Sequence, residues 1–237
     1  MNTNSDNASP LDSATYDRQI TSSLPYYGEF AIQIRDILDL HRTVKAETGT
    51  EPEDAAMEWL DLGCGTGILE EKMLAVYPDT HFTLLDPAEN MLAQAKARFR
   101  NKDFEYICAP SQGLPLMENR FDVATAVQSH MYLHMEERPG TLKRIYDDLK
   151  PGGIFINIET FVDEDPAVRE FELRRWGEYR IRHGFERADL ENWMSRCGVN
   201  YYPITIPEYI TLMKEAGFLS IHVFWLSYMQ FGIYGIK

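Results

Sequence analysis

The 237-residue chain carries 37 acidic against 23 basic residues, a formal charge of −14, so the clustered Lys and Arg that neutralise nucleic-acid phosphates are not expected. Its length and 44% hydrophobic content suit one domain with a sizeable core. The cysteines Cys64, Cys108 and Cys197 lack metal-ligand spacing, and their odd number fits a secreted disulfide framework poorly, which predicts a reducing cytoplasm and no bound metal.

Residues 1–12 are polar and rich in Asn and Ser, without the cationic start or apolar stretch of a signal peptide. A flexible tail is expected over 1–15, and no later run reaches membrane-spanning length. Between Glu29 and Val44 apolar residues recur at helical spacing (Phe30, Ile34, Ile37, Leu38), and the polar stretch Lys45 to Asp54 closes an N-terminal helical segment over 16–54. Strand and helix patterns then alternate. Strands are expected at Trp59–Leu62, Phe82–Leu85, Phe104–Cys108, Phe121–Val127 and Ile154–Ile158, with helices at Ile68–Val76, Ala88–Phe99 and Thr141–Leu149.

Such alternation predicts parallel pairing through right-handed crossovers, hence an α/β, doubly wound sheet. The closing runs Ile221–Trp225 and Met229–Ile236 are separated by too few residues for a crossover, so they are expected to pair antiparallel. Before them lies a charged, aromatic stretch at 160–205, with Phe171, Trp176, Tyr179, Phe185 and Trp193, expected as a helical insert that forms a lid. One domain over 16–237 accounts for all of these elements.

Trp59 to Gly67 delivers an apolar strand into a turn where Gly63, Gly65 and Gly67 let backbone approach a ligand. Nineteen residues after Gly67, Asp86 ends the next apolar run, where a carboxylate suits both hydroxyls of a ribose. A nucleoside cofactor is expected there.

Leu60-Asp61-Leu62-Gly63-Cys64-Gly65-Thr66-Gly67, Asp86, Phe121-Asp122-Val123, Leu149-Lys150-Pro151-Gly152-Gly153 and the closing hairpin together resemble the class I S-adenosylmethionine-dependent methyltransferases. The resemblance covers most of residues 55 to 237. It implies a Rossmann-like, mostly parallel seven-stranded sheet and S-adenosylmethionine as cofactor. It also assigns the methionine end to Asp61 and the backbone of Gly63, Cys64, Gly65 and Gly67, the ribose to Asp86, and the adenine flanks to Pro87 and Met91. Where the family commonly holds the adenine amine with an acid, this chain has Pro110, which leaves Ser111 or Gln112 for that contact.

The segment Tyr16-Asp17-Arg18-Gln19-Ile20-Thr21-Ser22-Ser23-Leu24-Pro25-Tyr26-Tyr27 is similar to the N-terminus of carboxy-S-adenosylmethionine synthases and related methyltransferases. That similarity implies a cofactor contact from Tyr27. Arg187-Ala188-Asp189-Leu190-Glu191-Asn192-Trp193-Met194 resembles the synthase segment whose arginine binds an extra carboxylate on the cofactor, sometimes from a neighbouring subunit, which makes a homodimer possible. Tyr16, Arg18 and Arg187 are accordingly assigned to the substrate. Against the synthase stands the ordinary methyltransferase turn Gly65-Thr66-Gly67.

Methyl transfer from a sulfonium chiefly requires alignment, with a base only if the nucleophile carries a proton. His130, with Tyr132 and His134, follows the fourth strand and is the base candidate by its near-neutral titration; the alternative is a loop histidine that packs or meets solvent. Gln128 either bonds the methionine moiety or caps the next helix. Arg187 and Arg18 equally suit surface ion pairs, and the insert's aromatics suit packing as well as a pocket wall. The expected function is methyl transfer to a small-molecule acceptor, with no nucleic-acid or membrane partner. The alternatives are a carboxy-S-adenosylmethionine synthase, a catalytically silent cofactor-binding regulator, and a dinucleotide oxidoreductase.

Overall fold

Seven apolar runs become the strands of one sheet: β1 (Glu58–Leu62), β2 (His81–Asp86), β3 (Glu105–Cys108), β4 (Phe121–Val127), β5 (Leu149–Thr160), β6 (Ser220–Ser227) and β7 (Gln230–Ile236). The computed structural model describes residues 15–50, 52 and 55–237. The expected tail over 1–15 therefore lies outside the described residues, apart from Thr15. The sheet order is β3-β2-β1-β4-β5-β7-β6. All pairings from β3 across to β5 are parallel, while β7 pairs antiparallel with both β5 and β6.

That order fixes where a ligand can bind. The chain steps outward from β1 to β2 and β3, then returns to place β4 on the other side of β1. A crevice opens at the carboxyl ends of two neighbouring parallel strands whose connections leave in opposite directions. Here it lies where the glycine turn after β1 meets the residues after β4.

Alternate strand residues feed two cores, as the period of two dictates. On one face Trp59, Phe82, Leu84, Val123 and Ile156 pack against Phe30, Ile34 and Leu38 of α2 (Tyr27–Glu47), Met73 of α3 (Ile68–Leu74) and Leu92 and Ala95 of α4 (Glu89–Arg98). On the other, Leu60, Leu62, Leu85, Ala124 and Phe155 meet Leu142 and Ile145 of α5 (Arg138–Asp148) and Tyr209 and Met213 of a helix over Ile206–Ala216. Pro139 explains the early start of α5, because proline suits the first helical turn.

Of two further helices, the first falls within the expected N-terminal helical segment and the second went unread in the sequence. Tyr16–Ser23 is helical (α1) and carries buried Ile20. Ile206–Ala216 begins with a reciprocal cap, Thr205 Oγ1 accepting from Glu208 N at 3.3 Å while Glu208 Oε2 accepts from Thr205 N at 3.0 Å, and ends at Gly217 with φ of 119°. The Thr-x-x-Glu pattern and the closing glycine were legible signals.

The insert forms α6 (Pro166–Arg182) and a short helix α7 (Leu190–Met194), so the helix over 206–216 is α8. Asp165 caps α6 by accepting from Ala167 N at 2.8 Å. A Phe161–Ile204 bridge closes the insert at its base. Its aromatics build a third core: Trp176 and Trp193 cross edge-to-face at 4.7 Å and pack with Val162, Met229 and Ile20 and Leu24 from the N-terminal segment. The segment before the sheet thus shares a core with the insert after β5.

Candidate active site

The glycine turn is held against the end of β2. Gly63 N and Cys64 N both donate to Leu85 O, at 2.7 and 3.0 Å. Gly63 has φ of 82°, and a Cβ there would lie 2.3 Å from Cβ of Ser129 on the β4 side, so only glycine admits this approach. Ser129 Oγ in turn donates to Leu62 O at 2.6 Å. Gly67, with φ of 84°, faces the Phe99 ring instead.

Asp86 closes the turn. Its Oδ2 accepts from Gly65 N at 2.9 Å and its Oδ1 from Ala88 N at 2.8 Å. Burial raises its pKa, opposed by these two N–H groups. Each carboxylate oxygen has a further acceptor position, and Asp86 lies on the wall of a cavity of about 230 Å³.

That cavity is lined on the β1 and β2 side by Gly63, Gly65, Asp86, Pro87 and Met91, and on the next edge by Pro110, Ser111 and Gln112. A 3-10 turn at Ser111–Gly113 brings Ser111 to the wall, and Gln112 Nε2 donates to Glu137 Oε1 at 2.9 Å. Val127, Gln128, Ser129, Tyr132 and Leu133 enter from the end of β4, and Tyr16 covers the opening from α1. Tyr132 was named in the sequence only as a neighbour of His130, and Ser129 and Leu133 had no assignment, since nothing local distinguishes them from other loop residues.

Gln128 takes φ of 56°, unusual for a non-glycine residue. Its Nε2 donates to Gln230 Oε1 at 2.6 Å, and Thr160 Oγ1 lies 3.4 Å from Gln128 Oε1. This buried amide pair ties the residue after β4 to the start of β7 across the end of β5.

Several expected contacts fall elsewhere. Asp61 is 3% exposed and outside the cavity wall; Thr125 Oγ1 donates to its Oδ1. Glu70 of α3, missed in the sequence, is fully buried beside it, and no other side chain or backbone group hydrogen-bonds its carboxyl oxygens. Burial first and Asp61 second push the Glu70 pKa well up, so the fold favours the protonated form of Glu70 beside Asp61. The folded state therefore binds a proton that the unfolded chain releases above the ordinary carboxylate range, and stability declines as pH rises above that range toward the raised value. Glu70→Gln should remove this decline, so that the variant gains on the parent as pH rises above the ordinary carboxylate range, read by urea denaturation.

Tyr27, Cys64 and Gly67 also stand outside the cavity wall. Tyr27 packs edge-to-face on Phe30 at 5.6 Å, and Cys64 joins the core. His130, expected as the base, lines neither this cavity nor the smaller one beside it. It is 1% exposed, with Nδ1 3.2 Å from Tyr209 Oη and Nε2 without a partner. Burial, and after it Arg138, lowers its pKa to about 3. Arg187 lies on the outer surface, its guanidinium paired with Glu178 at 3.0 Å, and Arg18 is exposed.

Asp17, rather than Arg18, ties α1 to the glycine turn. It accepts from Thr66 Oγ1 at 2.6 Å and pairs with Arg98. At the other end of α1, Ser23 O accepts from Trp176 Nε1 at 2.9 Å and Ser23 Oγ from Arg180. Held at both ends, α1 roofs the cavity and borders a second one of about 60 Å³. Tyr16, Gln128 and Tyr132 belong to both walls; Thr160, Trp176, Arg180, Trp193, Arg196 and Tyr201 are among the other residues of the smaller one. No His, Cys, Asp and Glu cluster suited to a metal occurs among the described residues.

The donor set fits an adenosyl sulfonium: a ribose-matching carboxylate beside a glycine turn, apolar flanks at Pro87 and Met91, and backbone close to the β4 loop. A family profile described as a methyltransferase domain matches residues 60–153. The chain is 25% identical over 225 residues to a carboxy-S-adenosyl-L-methionine synthase of Helicobacter hepaticus, covering 92% of this chain and 89% of that protein. It is 30% identical over 187 residues to a ubiquinone/menaquinone biosynthesis C-methyltransferase of Desulfotalea psychrophila, covering 76% of this chain and 72% of the relative. Among solved structures, an S-adenosylmethionine-dependent methyltransferase of Mesorhizobium loti shares the fold at a TM-score of 0.58 and 18% identity, over 84% of this chain and all of that one. Against some longer methyltransferases of the same fold the chain spans only 35% to 60% of their length. The sheet order, the glycine turn with its carboxylate and these similarities establish that the chain belongs to the class I S-adenosylmethionine-dependent methyltransferases.

Proposed function

We propose that this enzyme methylates a small molecule that enters the smaller cavity, with S-adenosylmethionine in the larger one. The observation that carries this reading is the shared wall: Tyr16, Gln128 and Tyr132 border both cavities. When bound, the cofactor supplies an activated methyl group, which an acceptor lone pair takes by in-line displacement.

Asp86 receives the ribose hydroxyls, Gly63 and Gly65 bring backbone against the methionine end, and Gln128 stands near that end. Pro87 and Met91 flank the adenine, whose edge faces Ser111 and Gln112. Tyr16 and Tyr132 orient the acceptor. The unit that performs this is 16–237, with 160–205 as its cap. The acidic charge of −14 supports a small-molecule rather than a nucleic-acid acceptor, and the three free cysteines support a reducing, cytoplasmic setting.

His130 acts structurally rather than as a base. Its neutral form is the one the fold selects, so the stability it contributes is complete above about pH 6.5 and is lost as pH falls toward its lowered value. His130→Gln should flatten the acid limb of stability, which otherwise falls by up to about 1.4 kcal/mol per pH unit, and leave the pH dependence of methyl transfer unchanged. A shifted rate profile in the variant would restore the base role.

Mass spectrometry of the small molecule released on denaturing the purified protein tests the cofactor assignment, and an acceptor panel tests turnover. S-Adenosylmethionine or S-adenosylhomocysteine is expected. The name of the Helicobacter hepaticus relative, similar over 92% of this chain, supports a second reading as a carboxy-S-adenosylmethionine synthase. A released sulfonium heavier by one carboxylate would establish it. In that case Arg187, 67% exposed on its side chain, would serve the pocket of a second copy, and a homodimer would appear in light scattering.

A further inference from the structure

Alignment of a nucleophile with a methyl group needs no cation beside the acceptor, yet Arg180 of α6, only 8% exposed, lines the smaller cavity. Among the described residues it has no carboxylate at ion-pair distance, whereas Arg174, Arg175 and Arg187 pair with Glu170, Glu172 and Glu178. Its Nη1 donates to Ser23 Oγ, and the guanidinium lies over the Phe185 and Trp193 rings, 4.0 and 4.7 Å from their centroids. Burial lowers its pKa to about 10, with Tyr201, Arg196 and Asp189 exerting smaller effects, so it stays charged at neutral pH.

A second observation points to the same spot. Tyr201, 5% exposed on the same wall, buries a hydroxyl that has no nitrogen or oxygen partner and meets only the weakly bonding Cys197 thiol. A buried cation and a buried hydroxyl both lose free energy when unpaired. A ligand oxyanion satisfies both at once, and the planar guanidinium fork matches a carboxylate. The Arg180 guanidinium balances one negative charge, the half-buried Arg196 adds positive charge on the same wall, and Trp176 and Trp193 line the cavity beside what the carboxylate is attached to.

We propose that the methyl acceptor is a small planar carboxylic acid, its carboxylate held by Arg180 and Tyr201 and its body by Trp176 and Trp193. This rests on the reading of the smaller cavity as the acceptor chamber. The acceptor's reacting end then reaches the rim formed by Tyr16, Gln128 and Tyr132, where the two cavities meet.

The test titrates salicylate, 3-hydroxybenzoate and indole-3-acetate, each against its carboxamide, into the full chain saturated with S-adenosylhomocysteine, read by calorimetry. At least one acid should bind roughly tenfold or more tightly than its amide, as expected for losing a charge-assisted hydrogen bond. Arg180→Met should abolish the difference and Arg180→Lys should keep part of it, with S-adenosylhomocysteine affinity intact in both as proof of folding. Equal affinity for acid and amide, no binding at millimolar concentration, or a preference that survives Arg180→Met overturns the proposal. So does an outcome in which Arg180→Met weakens only a carboxylated S-adenosylmethionine, which assigns the arginine to the cofactor. Failure of the parent protein to bind S-adenosylhomocysteine would instead count against the placement of the cofactor.

Discussion

Asp86→Ala should weaken S-adenosylmethionine binding by roughly 150-fold, because two hydrogen bonds to a buried carboxylate at about 1.5 kcal/mol each sum to about 3 kcal/mol. The loss has two sources. Gly65 N and Ala88 N lose their acceptor, which frees the glycine turn, and the ribose hydroxyls lose theirs. Asp86→Asn separates them: its single amide oxygen can still hold one backbone N–H, so the apo protein should melt closer to the parent while affinity still falls about tenfold. Calorimetric titration and thermal unfolding of the apo forms read the two effects. Unchanged affinity in both variants would remove Asp86 from the cofactor site.

Arg138→Ala should cost about 3–5 kcal/mol of stability, the usual penalty for leaving one partner of a buried ion pair alone. Arg138 and Glu159 are 1% and 0% exposed on their side chains and lie 3.0 Å apart, between α5 and β5. Burial already pushes the Glu159 pKa up against the pull of Arg138, so removing the guanidinium drives that carboxyl to take up a proton. The double variant Arg138→Met, Glu159→Leu should recover most of the loss, since apolar residues of similar volume often replace such pairs at little cost. Urea denaturation of the parent, single and double variants measures both. The single variant has a functional consequence too: Arg138 Nη2 donates to Tyr202 O at 2.9 Å, so the end of the insert that carries Tyr201 should loosen and raise the acceptor KM. A single variant as stable as its parent would show that the pair contributes nothing.

The alternation of strands and helices, the glycine turn, Asp86 and the closing hairpin were all legible in the sequence, because their signals are local. A period of two, a glycine where φ must be positive and a hairpin too short for a crossover each depend on a few consecutive residues. The cap of α8 at Thr205 and Glu208 was equally local, and was hidden only by its position between the insert and the hairpin. The boundary of β5 was less legible. Pro151-Gly152-Gly153 reads as a break, yet the strand runs from Leu149 with an irregularity in its register against β4.

The arrangement around the two cavities shows the limit of local signals. Tyr16 and Gln128 are 112 positions apart in the chain and share the wall of both cavities, while Gln128 and Gln230 meet as a buried amide pair. His130, Tyr132 and His134 are equivalent in sequence, but the 3-10 turn at His130–Tyr132 sends the first into the core beside Tyr209 and the second to the cavity. Arg180 and Arg187 are both arginines of a charged insert; one is buried without a counter-ion and the other neutralised on the surface. The sequence by itself determined the fold class, the glycine turn and the carboxylate that closes it, since backbone conformation and strand burial follow from short-range pattern. Tertiary packing alone decided which side chains face the ligand and which charges go unpaired, because desolvation and pairing are set by neighbours that the chain brings together only when it folds.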